Sequence, residues 1–557
     1  MEISAAEAIV RCLEDEKVEL IFGYPGGAML PVYDALYNTS VKHVLVRHEQ
    51  GATHAANGYA MATGKVGVCM ATSGPGATNL VTGIANAYMD SNPLVLFTGQ
   101  VPTNVVGTDS FQEVDITGIT MPVVKHNYLL KDPGEVLQTV KRAFHIASTG
   151  RPGPVLIDLP KDIASATVKY KIPENLELPG YKPTYKGHPA QIQQAAKQIM
   201  KSERPVIYAG GGIIISECSE ELRTLAEMIS APVTTTLRGL GCFPGDHPLS
   251  VGMLGMHGTR YANKAVTNCD LLITLGARFD DRVTGKIAAF APNAKVIHVD
   301  IDPAEIGKNI RSHLPIVGDL KHVLQTLLPL LKKKEETQWL EQVQEWKREF
   351  PLSYDREGEK NGKVKPQYLV EQLCEATQGD AIVVTDVGQH QMWVAQYYKF
   401  KYPRSFVTSG GLGCMGFGLP ASIGAQLGAP DRKVIAVAGD GGFQMTMTEL
   451  GTLVEQKLPI KIFIFNNKSL GMVRQLQKFY CDERYVAVDF DFCPDFNKLA
   501  DVYGIKNYLI ENHDDVAKII PEALDYPGAV LVNCIISAEE DVLPMVLTGS
   551  SIEDAVD

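Results

Sequence analysis

The sequence lacks the features that mark secreted, membrane-spanning and nucleic-acid-binding proteins. Its 10 cysteines include no Cys-x-x-Cys pair, and several lie in apolar segments, such as Cys69 and Cys534, so we expect reduced core residues of a cytoplasmic protein. No apolar run is long enough to span a membrane. The net charge is -12 and the basic residues are scattered, apart from 332–334, which argues against nucleic acid as a partner. The first residues, MEISAAEAIVRCLEDE, predict a helix that is capped by Ser4 and Glu7 and not a signal or transit peptide.

The length and the residue pattern predict three domains of the α/β class. A chain of 557 residues is too long for one hydrophobic core, and 45% hydrophobic with 21% charged residues is typical of a globular protein. Short β-branched runs alternate with helical spacing of apolar residues, which predicts parallel sheets in two similar domains that flank a different one. The predicted parts are an N-terminal domain 1–165, a linker 166–188, a central domain 189–331, a linker 332–365, a C-terminal domain 366–540 and a tail 541–557.

A βαβ unit in the C-terminal domain places an acid and an amide at one edge of its sheet. Residues 433–438 and 461–465 predict strands, and residues 444–455 between them have helical spacing. The strands are expected to be parallel, so Asp440 and Asn467 emerge at the same edge, where open α/β sheets bind ligands. Glycines beside the acid allow close approach, and such oxygen ligands suit Mg²⁺ shared with phosphate. An ordinary strand and glycine turn would also explain GDG alone.

Three strand ends in the N-terminal domain carry candidate ligand-binding turns. Glu49 follows an apolar strand in VLVRHEQGATHAANG, and a buried carboxylate is costly without a partner, so Glu49 is either a paired structural acid or a working one. The glycine turns YPGG at 24–27 and ATSGPGATN at 71–79 follow other predicted strands. Three such edges that face one cleft favour a ligand site over a structural core.

The chain resembles a known enzyme family over nearly its whole length. GDG followed by Asn 27 positions after its Asp resembles the signature of thiamine diphosphate enzymes. Within that class the sequence resembles the acetohydroxyacid synthase (acetolactate synthase) large-subunit family, and GTDSFQE with GARFDDRVTGK is specific to this family. The other segments that carry the resemblance are FGYPGGAMLPVYDAL, RHEQGA, KHNYL, RPGPVLIDLPKD, MLGMHGT, GLGCMGFGLPAS, GDGGFQM, NNKSLGMVRQ and EEDVLPMV.

The resemblance implies an enzyme of branched-chain amino acid biosynthesis. Such an enzyme decarboxylates pyruvate on thiamine diphosphate and transfers the hydroxyethyl group to a second 2-oxo acid, either pyruvate or 2-oxobutyrate. Glu49 would protonate the pyrimidine ring of the cofactor, and Met415 would bend the cofactor so that its amino group reaches the reactive carbon. Arg282 would bind a substrate carboxylate with its planar guanidinium. The other implied residues of the substrate pocket are Phe111, Gln112, Lys161, Met256 and Leu476.

Three cofactors follow from the resemblance: thiamine diphosphate, Mg²⁺ and FAD. Mg²⁺ would be held by Asp440, Asn467 and the backbone carbonyl of Ser469. The central domain lacks a clean G-x-G-x-x-G, so FAD, with no net part in the reaction, is implied by the resemblance only. The implied thiamine diphosphate residues are Tyr24, Pro25, Gly26, Gly27, Glu49, Thr72, Pro75, Asn79, Val387, Gly388, Gln389, His390, Gly413, Met415, Gly439, Asp440, Gly441, Gly442, Asn467, Ser469, Leu470, Gly471, Met472 and Val473. The implied FAD residues are Arg151, Gly210, Gly211, Gly212, Thr236, Leu237, Leu254, Gly255, Met256, His257, Gly276, Ala277, Arg278, Asp280, Arg282, Val283, Asp300, Ile301, Glu305 and Asp319.

One residue departs from the family pattern, and it leaves the acceptor open. Most relatives have Trp at the position of Leu476, so preference for the larger 2-oxo acid does not follow. The alternatives are a catabolic, pyruvate-only acetolactate synthase, which lacks flavin and the RFDDR segment, and a flavin-dependent pyruvate oxidase. An inactive scaffold is disfavoured because Glu49, Asp440 and Asn467 are intact. The resemblance also implies a homodimer or tetramer with active sites shared between chains, and a small regulatory subunit.

Overall fold

The computed structural model describes residues 1–173, 175–335, 338–355 and 363–556. Within these residues the chain forms three α/β domains, each around a six-stranded parallel sheet, so the predicted fold class is confirmed. Successive residues of each inner strand point to opposite faces of the sheet, as Leu94 and Val95 do when they enter different hydrophobic clusters. The limits of the domains stay a prediction.

The N-terminal sheet has the strand order β3-β2-β4-β5-β7-β6. Its strands and the short strands beside it are β1 (Glu2–Ser4), β2 (Leu20–Tyr24), β3 (Lys42–Leu45), β4 (Gly67–Ala71), β5 (Leu94–Gln100), β6 (His126–Leu129), β7 (Pro154–Pro160) and β8 (Thr167–Lys169). Its helices are α1 (Ala5–Asp15), α2 (Leu30–Ala35), α3 (Glu49–Thr63), α4 (Pro75–Asn79), α5 (Val81–Asp90), α6 (Ile116–Thr120), α7 (Val136–Ser148) and α8 (Lys161–Ser165). The predicted capping box of Ser4 and Glu7 is confirmed at the start of α1.

The central sheet has the order β11-β10-β9-β12-β13-β14. Its strands are β9 (Pro205–Ala209), β10 (Val233–Thr235), β11 (Ser250–Met253), β12 (Leu271–Leu275), β13 (Lys295–Asp300) and β14 (Leu314–Val317). Its helices are α9 (Pro189–Lys201), α10 (Gly211–Ile215), α11 (Ser219–Ile229), α12 (Arg260–Asn268), α13 (Asp281–Thr284), α14 (Leu320–Leu327) and α15 (Gln338–Glu349). Helix α15 lies in the segment interpreted as a linker, and its Trp339 and Val343 pack into the core of this domain.

The C-terminal sheet has the order β16-β15-β17-β18-β20-β19. Its strands are β15 (Ile382–Thr385), β16 (Phe406–Thr408), β17 (Val434–Gly439), β18 (Lys461–Asn466), β19 (Lys506–Ile510) and β20 (Val530–Ile535), and β21 (Met545–Val546) pairs with β22 (Ala555–Val556) in the tail. Its helices are α16 (Pro366–Thr377), α17 (Gln389–Tyr397), α18 (Gly418–Gly428), α19 (Asp440–Thr446), α20 (Leu450–Glu455), α21 (Gly471–Tyr480), α22 (Phe496–Val502) and α23 (His513–Asp525).

The helix predicted at 444–455 is interrupted in the structure. It begins earlier, at Asp440, and a 3-10 turn, Met447–Glu449, separates α19 from α20. The hydroxyl of Thr446 donates to the carbonyl of Gly416 at 2.9 Å, so the end of α19 is tied to another loop. Tertiary contacts of this kind override the helical spacing of the apolar residues.

The N-terminal and C-terminal domains meet through α3 and α18, which cross with their backbones in contact. A Cβ atom at Gly424 would lie 1.7 Å from the carbonyl oxygen of Ala55, and one at Gly58 would lie 2.0 Å from that of Ala421. Glycine at these two positions is therefore required for the close approach. This contact fixes the two domains of one chain against each other. Along the described ranges no helix is long and apolar enough to cross a membrane.

Candidate active site

Asp440 and Asn467 lie at the carboxyl edge of the C-terminal sheet, as the βαβ pattern predicts. Strands β17 and β18 are parallel neighbours, with Gly439 paired to Phe465. Asp440 opens α19 and is 1% exposed. The side-chain oxygen of Asn467 accepts the backbone N–H of Ser469 at 3.0 Å, which orders the turn after β18. The residues implied as Mg²⁺ ligands therefore surround one small cavity of about 60 Å³.

This metal-side cavity brings together most of the implied diphosphate residues. They are Val387, Gly388, Gln389, His390, Met415, Gly439, Asp440, Gly441, Gly442, Asn467, Ser469, Leu470, Gly471, Met472 and Val473. The Oε1 atom of Gln389 and the Nε2 atom of His390 are buried in its wall without a hydrogen-bond partner. Because buried polar atoms normally have partners, these two atoms fit a pocket that holds a polar ligand.

The oxygen donors at this edge suit a hard cation. Among the described residues no group of three or more His, Cys, Asp or Glu could hold a metal ion, so the site depends on one carboxylate with amide and carbonyl oxygens. Mg²⁺ commonly uses one or two carboxylates together with phosphate oxygens. Burial raises the pKa of Asp440 to about 7, although the N–H of Gly441 donates to it at 3.0 Å. A bound divalent cation would favour the charged carboxylate.

Met415 stands on a loop that is held from both sides. The N–H of Cys414 donates to the Ser409 hydroxyl at 2.8 Å. On the other side, the Asp386 carboxylate accepts the N–H groups of Gly416 at 3.0 Å and Gly418 at 2.9 Å. Asp386 is fully buried, and burial raises its pKa to about 6. The loop therefore presents Met415 in a fixed place beside the metal-side cavity.

A larger cavity of about 610 Å³ is lined by residues of all three domains, most of them central or C-terminal. The implied FAD residues that line it are Arg151, Gly211, Gly212, Thr236, Leu237, Leu254, Met256, His257, Gly276, Ala277, Arg278, Asp280, Arg282, Val283, Asp300, Ile301, Glu305 and Asp319. Gly210 and Gly255 lie behind the wall, where a Cβ atom would meet the carbonyls of Gly276 at 2.1 Å and Arg282 at 2.4 Å. These two glycines serve the packing of the wall.

The polar lining of the larger cavity fits a large polar ligand. The hydroxyl of Tyr208, Oγ1 of Thr236 and Nδ1 of His257 are buried there without partners. Arg151 donates to Asp302 at 3.1 Å and to Glu305 at 2.7 Å, so its guanidinium is held in place at the rim. A site of this size with a few oriented polar groups is typical of cofactor binding.

The two cavities are neighbours, because Val387, Gly388, Met415, Met472 and Val473 line both of them. Leu476 lies one turn farther along α21 and lines the larger cavity with Met256 and Arg282. The Arg282 side chain is 66% exposed, and its Nη1 atom lies 3.8 Å from the sulfur of Met256. A cationic fork at the open end of an apolar pocket is suited to a small carboxylate.

Glu49 begins α3 on the N-terminal domain and is half-buried. Its Oε2 atom accepts a hydrogen bond from the amide of Asn79 at 3.0 Å. A Cβ atom at Gly76 would lie 3.4 Å from its other oxygen, and a Cβ atom at Gly26 would meet Thr72 at 2.5 Å. The turns YPGG and ATSGPGATN therefore do lie beside each other and beside Glu49.

One chain does not bring this N-terminal group into either cavity. The residues left outside, all within the described ranges, are Tyr24, Pro25, Gly26, Gly27, Glu49, Thr72, Pro75, Asn79, Phe111, Gln112 and Lys161. Phe111 is 88% exposed, and Lys161 is exposed at the start of α8.

Two buried acids were missed by sequence reasoning. Asp386 follows β15 at the same sheet edge as Asp440, so the strand-end argument applied to that acid would have found it. Glu449 is 1% exposed and bonds the backbone of Arg47 and His48, about 400 residues away in the sequence. No local signal in the sequence reveals that contact.

The chain is similar to known proteins along its whole length. Family models described as Thiamine pyrophosphate enzyme match the chain in three parts: the N-terminal TPP binding domain at 3–119, the central domain at 192–327 and the C-terminal TPP binding domain at 386–534. The chain is 53% identical over 566 residues to a probable acetolactate synthase large subunit of Methanocaldococcus jannaschii, with 100% of this chain and 95% of that protein covered.

Two further relatives agree. An acetolactate synthase large subunit of Corynebacterium glutamicum is 49% identical over 563 residues, with 99% of this chain and 90% of that protein covered. One of Porphyra purpurea is 50% identical over 544 residues, with 95% and 91% covered. Identity of this degree over full length, on the fold and sheet edges described above, shows that the chain belongs to the acetolactate synthase large-subunit family of thiamine diphosphate-dependent enzymes.

Proposed function

We propose that this protein decarboxylates pyruvate and joins the resulting hydroxyethyl group to a second 2-oxo acid, in branched-chain amino acid biosynthesis. With pyruvate as acceptor the product is 2-acetolactate. The observation that carries the proposal is the pair of neighbouring cavities that share Met415. The metal-side cavity is lined by Asp440, Asn467 and Ser469, and the larger one is lined by Arg282.

The metal-side cavity is the proposed site of thiamine diphosphate and Mg²⁺. Bound thiamine diphosphate supplies a reactive thiazolium carbon and an electron sink for decarboxylation. Asp440, Asn467 and the carbonyl of Ser469 would hold Mg²⁺ together with oxygen atoms of the diphosphate. Met415 is fixed because its neighbours Cys414 and Gly416 donate hydrogen bonds to Ser409 and Asp386. Its side chain would support the cofactor and exclude water.

The larger cavity is the proposed site of FAD. Its volume, its unpartnered polar atoms and the glycine turn at 210–212 support this assignment. The flavin would have a structural role, because the reaction needs no net electron transfer. It would also shape the wall of the substrate pocket near Met256 and Arg282.

A second copy of the chain would complete the site. Glu49, Phe111, Gln112 and Lys161 line neither cavity of their own chain, yet the reaction needs a proton donor beside the cofactor. In a homodimer or a tetramer, the Glu49 edge of one chain would face the metal-side cavity of its partner. Glu49 would then hold and release a proton at the pyrimidine ring nitrogen.

The names of the relatives support one further partner. Several are called large subunits, which suggests a small regulatory subunit for this protein as well. The proposed location is the cytoplasm, where pyruvate is available.

The C-terminal tail packs on the central domain, where the N–H of Val546 donates to the carbonyl of Met256 at 2.8 Å.

Product analysis tests the proposal. The purified protein, loaded with thiamine diphosphate, Mg²⁺ and FAD, is given pyruvate alone or pyruvate with 2-oxobutyrate, and the products, CO₂ and oxygen are quantified. We expect one 2-acetolactate and one CO₂ for every two molecules of pyruvate, without oxygen consumption. Oxygen uptake with acetate or acetyl phosphate would indicate a pyruvate oxidase, and full activity without flavin would indicate the catabolic enzyme.

A further inference from the structure

Glu449 is a buried acid of the C-terminal domain that binds the backbone just before Glu49. It is 1% exposed and ends the 3-10 turn between α19 and α20. Its Oε1 atom accepts the N–H groups of Arg47 at 2.9 Å and of His48 at 3.0 Å. These two peptide groups join β3 to the first residue of α3, so one carboxylate oxygen fixes the approach of the chain to Glu49.

The other side of the carboxylate is equally well held. The hydroxyl of Thr452 lies 2.7 Å from its Oε2 atom and 3.2 Å from the carbonyl of Leu45. A Cβ atom at Gly51 would lie 2.4 Å from Oε1, so a larger residue in the first turn of α3 would displace the Glu449 carboxylate. The carboxylate is therefore enclosed between the end of β3, the start of α3 and α20.

The charges around Glu449 do not explain its burial as an ion pair. The guanidinium of Arg47 is bonded at 2.5 Å to Glu455, an exposed acid on α20, and at 3.1 Å to the carbonyl of Leu45. Burial raises the pKa of Glu449, and the hydrogen bonds from Thr452 and from the two N–H groups oppose this rise. The direct hydrogen bonds of Glu449 come from two backbone N–H groups and the Thr452 hydroxyl, so the carboxylate fixes the position of the chain at Arg47 and His48.

We propose that Glu449 is a positioning residue for Glu49. By fixing the peptide groups of Arg47 and His48 from another domain, it sets where α3 begins and hence where the Glu49 carboxylate stands. The inference rests on the proposed function, in which Glu49 exchanges a proton with the cofactor. The α3–α18 contact brings the domains together, and Glu449 adjusts the end of α3 that carries the reactive group.

A double-mutant cycle tests whether Glu449 acts through Glu49. Glu449→Ala is expected to lower kcat at least 10-fold, with little change in the KM for pyruvate, because only the proton-transfer geometry is altered. In a Glu49→Gln background the same substitution is expected to change kcat less than 2-fold, because the group that it positions is already gone. Equal losses in both backgrounds would show a general structural role and overturn the proposal.

Conservative variants keep the test valid if Glu449→Ala folds poorly. Glu449→Gln retains an oxygen that accepts both N–H groups and an amide that can donate to Thr452, so kcat is expected to stay within 3-fold of wild type. Gly51→Ala pushes on the carboxylate from the side of α3 and is expected to lower kcat at least 5-fold. Glu455→Gln is the matched control, because it removes an acid bonded to Arg47 but leaves the backbone bonds intact.

A measurement on the cofactor-free protein tests this inference independently of the proposed function. Amide hydrogen exchange of the apo protein is measured at Arg47 and His48. Exchange at both is expected to be at least 10-fold faster in Glu449→Ala than in wild type and unchanged in Glu455→Gln. Unchanged exchange in Glu449→Ala would overturn the inference even if the enzyme is active. Lack of acetolactate formation by wild-type protein would instead overturn the proposed function.

Discussion

The Asp386 carboxylate offers a test of how the Met415 loop is held. Replacing it by Ala removes the acceptor of three backbone N–H groups: those of Gly416 and Gly418, which are buried, and that of Val387, which is partly buried. Each unsatisfied buried group costs about 1 to 3 kcal/mol, so the loop loses about 2 to 6 kcal/mol of support. Burial of the carboxylate, which raises its pKa to about 6, itself costs about 3 kcal/mol at neutral pH, and that cost disappears in the variant. The net loss of folding stability is therefore at most about 3 kcal/mol.

The expected result is a small change in stability with a large change in function. Asp386→Ala should lower Tm by no more than about 10 °C and turnover at least 10-fold, with weaker binding of thiamine diphosphate in a titration. Asp386→Asn keeps the oxygen that accepts the N–H groups of Val387 and Gly416. Its turnover should therefore lie between that of wild type and that of Asp386→Ala. Asp270→Ala is the control, since Asp270 also accepts two backbone N–H groups but lies on the central domain away from the cavities. Turnover of Asp386→Ala close to wild type would show that the Met415 loop does not depend on the Asp386 carboxylate.

Three further predictions concern the role of Glu49 in catalysis, the pH dependence of folding stability and the choice of acceptor 2-oxo acid. Glu49→Gln should lower turnover at least 100-fold while thiamine diphosphate still binds, because it removes proton transfer; activity within a few-fold of wild type would make Glu49 a structural acid. Burial raises the pKa of Asp158 to about 7, so the folded protein binds more protons than the unfolded chain between about pH 4 and 7 and loses stability as pH rises through this range. The Tm of Asp158→Asn relative to wild type should therefore increase from pH 5 to pH 8, and a constant difference would contradict this. Leu476→Trp should favour 2-oxobutyrate over pyruvate as acceptor by about 10 to 200-fold in a competition assay, the range for one methylene in an apolar pocket; an unchanged product ratio would show that Leu476 does not contact the acceptor.

The metal-side edge could be predicted from the sequence because it depends only on local order. The positions of Asp440 and Asn467 follow from two parallel strands and the turns after them, and the structure has both strands within one or two residues of the prediction. The role of Glu449 could not be predicted in this way. Its partners lie in another domain, and the sequence carries no sign that α3 and α18 cross at glycines. Contacts between domains are set by surface complementarity along the whole crossing, which periodicity does not report.

The larger cavity could not be predicted from residue patterns in the sequence either. The glycine turn at 210–212 contributes to its wall, but the glycine spacing there is not that of a dinucleotide-binding fingerprint. Only the resemblance to the family suggested a flavin. The cavity exists because Arg151, Thr236 and His257, from separate parts of the chain, converge on one space. Convergence of distant segments is a property of the fold and not of any one motif.

Glu49 and Asp440 are proposed to belong to one catalytic site, although they do not line a common cavity within one chain. Chains with Glu49→Gln are mixed with chains with Asp440→Ala under conditions of demonstrated subunit exchange, and acetolactate formation is measured. If each site takes Glu49 from one chain and Asp440 from its partner, mixed dimers have one intact site. We expect recovery of about a quarter of wild-type activity from an equal mixture that pairs at random. No recovery, with exchange verified, would contradict it.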